Sequence, residues 1–165
     1  AYLTNFLKEQ NGEDKAIAEI EELANAPVNT KTAAPYVALQ GFYASDEKTR
    51  DKAIAFAKKG VERAPNDTLA LLCLSALYGQ GGKLDEVVKL LAPHEAQMQN
   101  DVRLAHNYFE ALFQSRQIDK VTKLLNALVG SQNGQVKQFA NEKLKLVAQF
   151  LQQQQAQLNA IQKRS

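Results

Sequence analysis

Lys83-Leu84-Asp85-Glu86-Val87-Val88-Lys89-Leu90-Leu91 returns one 34-residue period later as Gln117-Ile118-Asp119-Lys120-Val121-Thr122-Lys123-Leu124-Leu125, with Asp, Val, Lys, Leu and Leu at identical spacing. The same register, one period earlier, falls on Asp51-Lys52-Ala53-Ile54. It reaches Asp14-Lys15-Ala16-Ile17 after a step of 37, which a three-residue loop insertion explains. Asn66-Asp67 and Asn100-Asp101 keep the same 34-residue interval independently. A fixed period of this length carried by helical patterns predicts stacked helix–turn–helix units.

The chain outward from that phrase reads as helices throughout. Leu3, Phe6 and Leu7 share one face of a segment over residues 2–10, read as the second half of a helix. Asn11-Gly12 is a turn, after which Ala16, Ile17, Ile20, Leu23 and Ala24 recur at helical spacing. Residues 27–32 form the least structured stretch and are the expected place of the insertion. Pro35 suits a first helical turn, where its missing N–H costs nothing. That helix is expected to reach about Ala44, and its partner to span residues 47–63 until Pro65 stops it. Asn66 or Asp67 caps the next helix at Thr68, and Gly81-Gly82 turns it back. A further pair starts at Val102, with Tyr108, Leu112, Val121, Leu125 and Leu128 inward.

Gly41, Ala53 and Pro65 are spaced 12 and 12, as are the small residue of helix A, the small residue of helix B and the closing proline of a tetratricopeptide repeat. Leu71, Leu74 and Tyr78 match that family's large–large–aromatic positions. The chain thus resembles the tetratricopeptide family over about residues 1–132. Ser75, Phe109, Val87 and Val121 depart from its small residues, and the last two units lack the closing proline. The resemblance implies an all-α fold: an α-solenoid of antiparallel helix pairs, about three and a half to four repeats, in units of about 1–27, 34–67, 68–101 and 102–132.

Residues 133–165 follow as a long C-terminal capping helix. Ala140, Leu144, Val147, Leu151, Gln154, Leu158 and Ile161 alternate by four and three from Val136 onward. A terminal repeat leaves an apolar flank, and an amphipathic helix covers it. Beyond Leu151 the glutamine run 152–155 thins the apolar face, leaving a protruding helix, a short coiled-coil seam or a frayed end as alternatives.

Composition bounds the chemistry. A net charge of +2 argues against a nucleic-acid or membrane surface. Cys73 is alone, so no intrachain disulfide can form, and compartment stays open with the cytoplasm favoured. No apolar run approaches the roughly 20 residues of a membrane span, and no secretory-signal pattern is read. Opening at Ala1 within a helical pattern, the chain reads as a fragment or a processed form. His94 and His106 are the only histidines; Glu110 lies four after His106, but two ligands do not make a metal site. Cys73 sits in an apolar run, where cysteine is packing, and Gly79, Gly81 and Gly82 lack the Lys-Ser/Thr of a phosphate loop. A non-enzyme without cofactor is expected.

Recognition by shape is the remaining reading. The resemblance implies that A helices line a concave groove through outward positions Pro35, Ala38, Phe42 and Ser45, then Leu69, Leu72, Ala76 and Gly79, then Arg103, His106, Glu110 and Phe113. Phe42, Leu72, Arg103, His106, Asn107, Glu110 and Phe113 are the candidate partner-binding residues, for an extended or helical peptide with apolar anchors. Arg103 with Asn107 suits a carboxylate or carbonyl. Each has a plainer reading: Phe42, Leu69 and Leu72 as core between repeats, and Arg103, His106 and Glu110 as a solvated face. Members of the family that grip acidic chaperone tails use a Lys- and Asn-rich clamp, where Ala38, Phe42 and Cys73 stand here. The expected role is a scaffold or adaptor for a protein or peptide partner. The alternatives are a homo-oligomer built through the groove or the C-terminal helix, and an accessory domain of a larger complex.

Overall fold

A computed structural model describes residues 12–26, 31–44 and 47–162. The helix expected over residues 2–10 and most of the loop expected over 27–32 lie outside them. Every regular element among the described residues is helical. In chain order these are α1 (Glu13–Asn25), α2 (Ala34–Tyr43), α3 (Arg50–Arg63), α4 (Thr68–Gln80), α5 (Leu84–Leu91), α6 (Glu95–Met98), α7 (Val102–Gln114), α8 (Ile118–Val129) and α9 (Gly134–Gln162). Single 3-10 turns occupy Glu47–Thr49 and Ala92–His94. The chain forms two compact units, divided between Pro93 and His94.

The period survives in three dimensions. α2, α4 and α7 begin at Ala34, Thr68 and Val102, and α3, α5 and α8 at Arg50, Leu84 and Ile118, so that each start repeats the interval of the sequence phrase. The buried side chains keep it too. Ala70, Leu71, Leu74, Ser75, Leu77 and Tyr78 of α4 correspond one by one to Leu104, Ala105, Tyr108, Phe109, Ala111 and Leu112 of α7. Val87 and Leu91 of α5 correspond to Val121 and Leu125 of α8. α9 starts at Gly134, close to where the next helix of the α4 and α7 class is due.

Capping explains where the helices begin. Asp67, in extended conformation, accepts a hydrogen bond from the Ala70 N–H at 2.8 Å, and Asp101 accepts one from the Arg103 N–H at 2.9 Å. Asn133 does the same for α9, its Oδ1 accepting from the Gln135 and Val136 N–H groups. Of the two caps open at α4, Asp67 is therefore the one used. The turns repeat as well. Gly82 and Arg116 are left-handed, and the Lys83 N–H bonds the Tyr78 carbonyl as the Gln117 N–H bonds that of Leu112, both at 2.9 Å. This is the Schellman closure of α4 and of α7.

In the first unit each helix packs on its chain neighbour, and α2 also meets α4. α1 presents Ala16, Ile20 and Ala24, one residue per turn, to Tyr36, Leu39 and Phe42 of α2. α3 turns small residues inward: Ala53, Ala57 and Gly60 are buried beside Ile54. A Cβ on Gly60 would stand 3.3 Å from that of Tyr36 and 3.8 Å from that of Ala70, so α3 closes tightly on both α2 and α4 here. Gly41, which carried the family resemblance in α2, is exposed with open space around it. The close approach belongs to Gly60 instead.

In the second unit α7 packs on α6, α8 and α9, and α8 on α9. Ser131, buried, donates to the Gln99 carbonyl at 2.6 Å and accepts from the Asn133 N–H, which fixes the bend between α8 and α9. α9 buries Val136, Ala140 and Val147, whereas every residue from 151 to 162 is exposed. α9 is thus one helix with two environments. His94 lies in the 3-10 turn directly after α5, where Pro93 denies the helical ladder an N–H.

Candidate partner-binding surfaces

The residues singled out in the sequence divide between the two units. Phe42 and Leu72 belong to the first. Phe42 is 7% exposed and part of the core shared by α1 and α2, so it offers no contact surface. Leu72 is half-buried on α4. It shares a stripe with Leu69, which is 52% exposed, and with the exposed Ala76 and Gly79, at i, i+3, i+7 and i+10. Nothing lies within 4 Å of where a Cβ on Gly79 would stand. Beside the stripe, the Gln40 side chain of α2 donates to Cys73 Sγ at 3.5 Å, tying α2 to α4. Burial pushes the Cys73 thiol up, and the Asp67 carboxylate adds to the effect, so the sulfur is a poor nucleophile at neutral pH. Pro35 and Ala38 are half-buried on α2, and Ser45 lies outside the described residues.

Arg103, His106, Asn107, Glu110 and Phe113 all lie on α7 in the second unit. Arg103, its side chain 64% exposed, already holds a carboxylate. Its guanidinium grips Asp101 through Nε at 3.0 Å and Nη2 at 2.6 Å. Residues two apart do not meet along a helix, but Asp101 is the extended cap outside it, and its carboxylate swings back. The fork lowers the Asp101 carboxyl below its ordinary range.

His106, Glu110 and Phe113 face α9. The His106 ring stands edge-on to Phe139 at 6.0 Å, and Glu110 accepts from Lys143 Nζ at 3.2 Å. Phe113 stacks on Phe109 at 5.4 Å and meets the Phe150 ring edge at 5.2 Å. Lys143 also lies over the Phe109 ring, 4.7 Å from its centroid, and Arg116 lies over Phe150 at 5.1 Å. The cations over the ring faces and the ion pair join α7 and its following turn to α9 across this seam. His106 and Glu110 are thus committed to separate partners. Asn107, half-buried on the same helix, sits between them in sequence.

Sequence reasoning missed the α9 side of this seam. The apolar stripe through Ala140, Leu144 and Val147 was visible, but Phe139 and Lys143 run one residue ahead of it, and Phe150 lies beside it. Together they make a face broad enough to cover α7 and α8 at once.

No protein-family model matches the chain, and no curated protein matches it either.

A second aromatic and cationic seam joins α2 to α3 in the first unit. Tyr43 and Phe56 stack at 5.7 Å, with Lys52 over the first ring at 5.3 Å and Lys59 over the second at 5.6 Å. Arg63 donates to the Tyr36 hydroxyl at 3.0 Å. Tyr36, Lys59, Glu62 and Arg63 line an open cleft of about 370 Å³. With Glu62 among its walls the cleft is not a purely cationic site. Among the described residues no three His, Cys, Asp or Glu side chains converge as metal ligands would, and no helix is long and apolar enough to cross a membrane.

Proposed function

We propose that this chain is a non-catalytic, tetratricopeptide-like module that binds a protein or peptide segment and serves as a scaffold or adaptor. One observation carries the reading: α4 presents Leu69, Leu72, Ala76 and Gly79 as an uncharged, open stripe beside α2. Small residues along it let a ligand backbone come close, and the two leucines offer apolar contact to its side chains. The 34-residue recurrence of helix starts and buried positions supports repeat architecture, in which such A-helix stripes line a groove. The ligand is expected to be extended or helical, with apolar anchors and little charge.

Phe42 is core, Glu110 and Phe113 pack against α9, and His106 stays exposed beside Phe139. A substitution at Phe113 therefore reports on packing and not on partner binding. The discriminating variants are Leu69→Lys and Ala76→Lys, both at exposed positions where the fold tolerates a charge. Wild type and the double variant are compared in affinity capture from native extract, with circular dichroism as the folding control. A protein held by wild type and lost from the folded variant supports the reading. Equal retention removes the α4 stripe as the contact.

A further inference from the structure

We propose that the distal part of α9, residues 151–162, pairs antiparallel with the same segment of a second copy of this chain. Four observations bear on it. The stripe Ala140, Leu144, Val147, Leu151, Gln154, Leu158 and Ile161 is one line on one helix, and only its first part is covered within the unit. Leu151, Leu158 and Ile161 are 44%, 55% and 65% exposed, so the apolar line outlasts the surface it packs on. No charged residue occurs from Leu146 through Gln162. Flanking positions are glutamine, asparagine and alanine, and Gln155 already bonds Asn159 across one turn at 3.0 Å.

The uncharged flank identifies the occupant. Coiled-coil partners are chosen by complementary charges beside the apolar seam. A seam without charge gains nothing from a charged partner and does not repel its own copy. Geometry sets the direction. The exposed segment, residues 151–162, amounts to about 18 Å of helix. Parallel pairing would bring both folded bodies to the same end of so short a rod. Antiparallel pairing sends them to opposite ends. A two-fold axis through Ala156 sets Leu151 against Ile161 of the second copy, and Gln154 against Leu158. Three large apolar side chains per copy fall short of the roughly 1,200 Å² that marks a stable interface, so the association is weak and concentration-dependent.

Sedimentation of the full chain from roughly 10 µM to 1 mM tests this, beside Leu151→Glu and Leu158→Glu, which alter exposed positions and leave the core intact. Wild type is expected to move toward twice the monomer mass, and the variants to need at least tenfold more protein for the same shift. In a Cys73→Ala background, Leu151→Cys mixed with Ile161→Cys is expected to cross-link more efficiently than either alone. A wild type that stays monomeric throughout, an association untouched by the two glutamates, or preferential cross-linking of Leu151→Cys to itself each overturns the proposal.

Discussion

Gly82 and Arg116 lie 34 residues apart, follow α4 and α7, and hold one backbone conformation, φ 68° and 59°, each closing its helix with the same pair of hydrogen bonds. Only glycine enters that region without strain. The turn is therefore kept in the path of the chain even where the residue that best suits it is absent. Arg116 uses the position to lay its guanidinium over Phe150.

Gly82→Ala isolates the conformational effect, because a Cβ there meets nothing within 4 Å. We expect a loss of about 1 kcal/mol, read by urea unfolding, with unchanged helix content. Arg116→Gly relieves the same strain but gives up the ring contact, so its net effect is expected to lie within about 0.5 kcal/mol of zero. A clear destabilisation on Arg116→Gly would mean the ring contact dominates.

Gly60 is the opposite case, a glycine chosen for space. Gly60→Val drives two branches toward Tyr36, Ala33 and Ala70, and is expected to cost at least about 2 kcal/mol. Gly60→Ala sets that crowding against a helix-propensity gain of about 1 kcal/mol, and should come out near neutral. Thermal melts of the two variants side by side test whether α3 is held as closely as the distances say.

Asp101 supplies a pH dependence. The side-chain hydrogen bond from Arg103 is the main cause holding its carboxyl below the ordinary range, with backbone N–H bonds and the Arg103 charge adding to it. A carboxyl depressed in the folded state adds stability that is present above its unfolded pKa and lost as pH falls through the folded one. Asp101→Asn keeps a capping oxygen and removes the charge. Its melting temperature is expected below wild type at pH 7, with the gap closing by about pH 2.5. A gap of constant size at both values would show that the charge is not what matters.

The Glu110–Lys143 pair is partly buried, with side chains 35% and 23% exposed, and Lys143 also covers two rings. A double-mutant cycle with Glu110→Gln and Lys143→Met, which keeps the aliphatic stem, should give a coupling of about 0.5–1 kcal/mol that falls as salt is raised. Zero coupling would leave the seam between α7 and α9 without a contribution from this ion pair.

Much of this architecture was legible because its signals are local. Asp67 and Asp101 cap, Gly81-Gly82 turns, and the Val87, Leu91, Val121 and Leu125 spacing marks the buried faces. What escaped depends on how elements meet. Pro93 shortened α5, and nothing in its own neighbourhood told that Met98 would be fully buried on a separate short helix. The pairing of Arg103 with its own cap was not legible, because the folding back of a capping carboxylate is not a periodic feature. Phe42 had the right position for a groove and the right chemistry for a core, and burial against α1 decided between them.

Whether the α4 stripe meets a partner is tested most directly by site-specific photo-crosslinking. A benzophenone side chain placed at Ala76 is compared with one at Lys89, which is exposed on α5 away from the stripe. The expected result is a discrete cross-linked protein from native extract at position 76, and its absence at position 89. The same products from both positions, or none from 76 while the folded protein still captures a partner, would contradict the proposed role of the stripe.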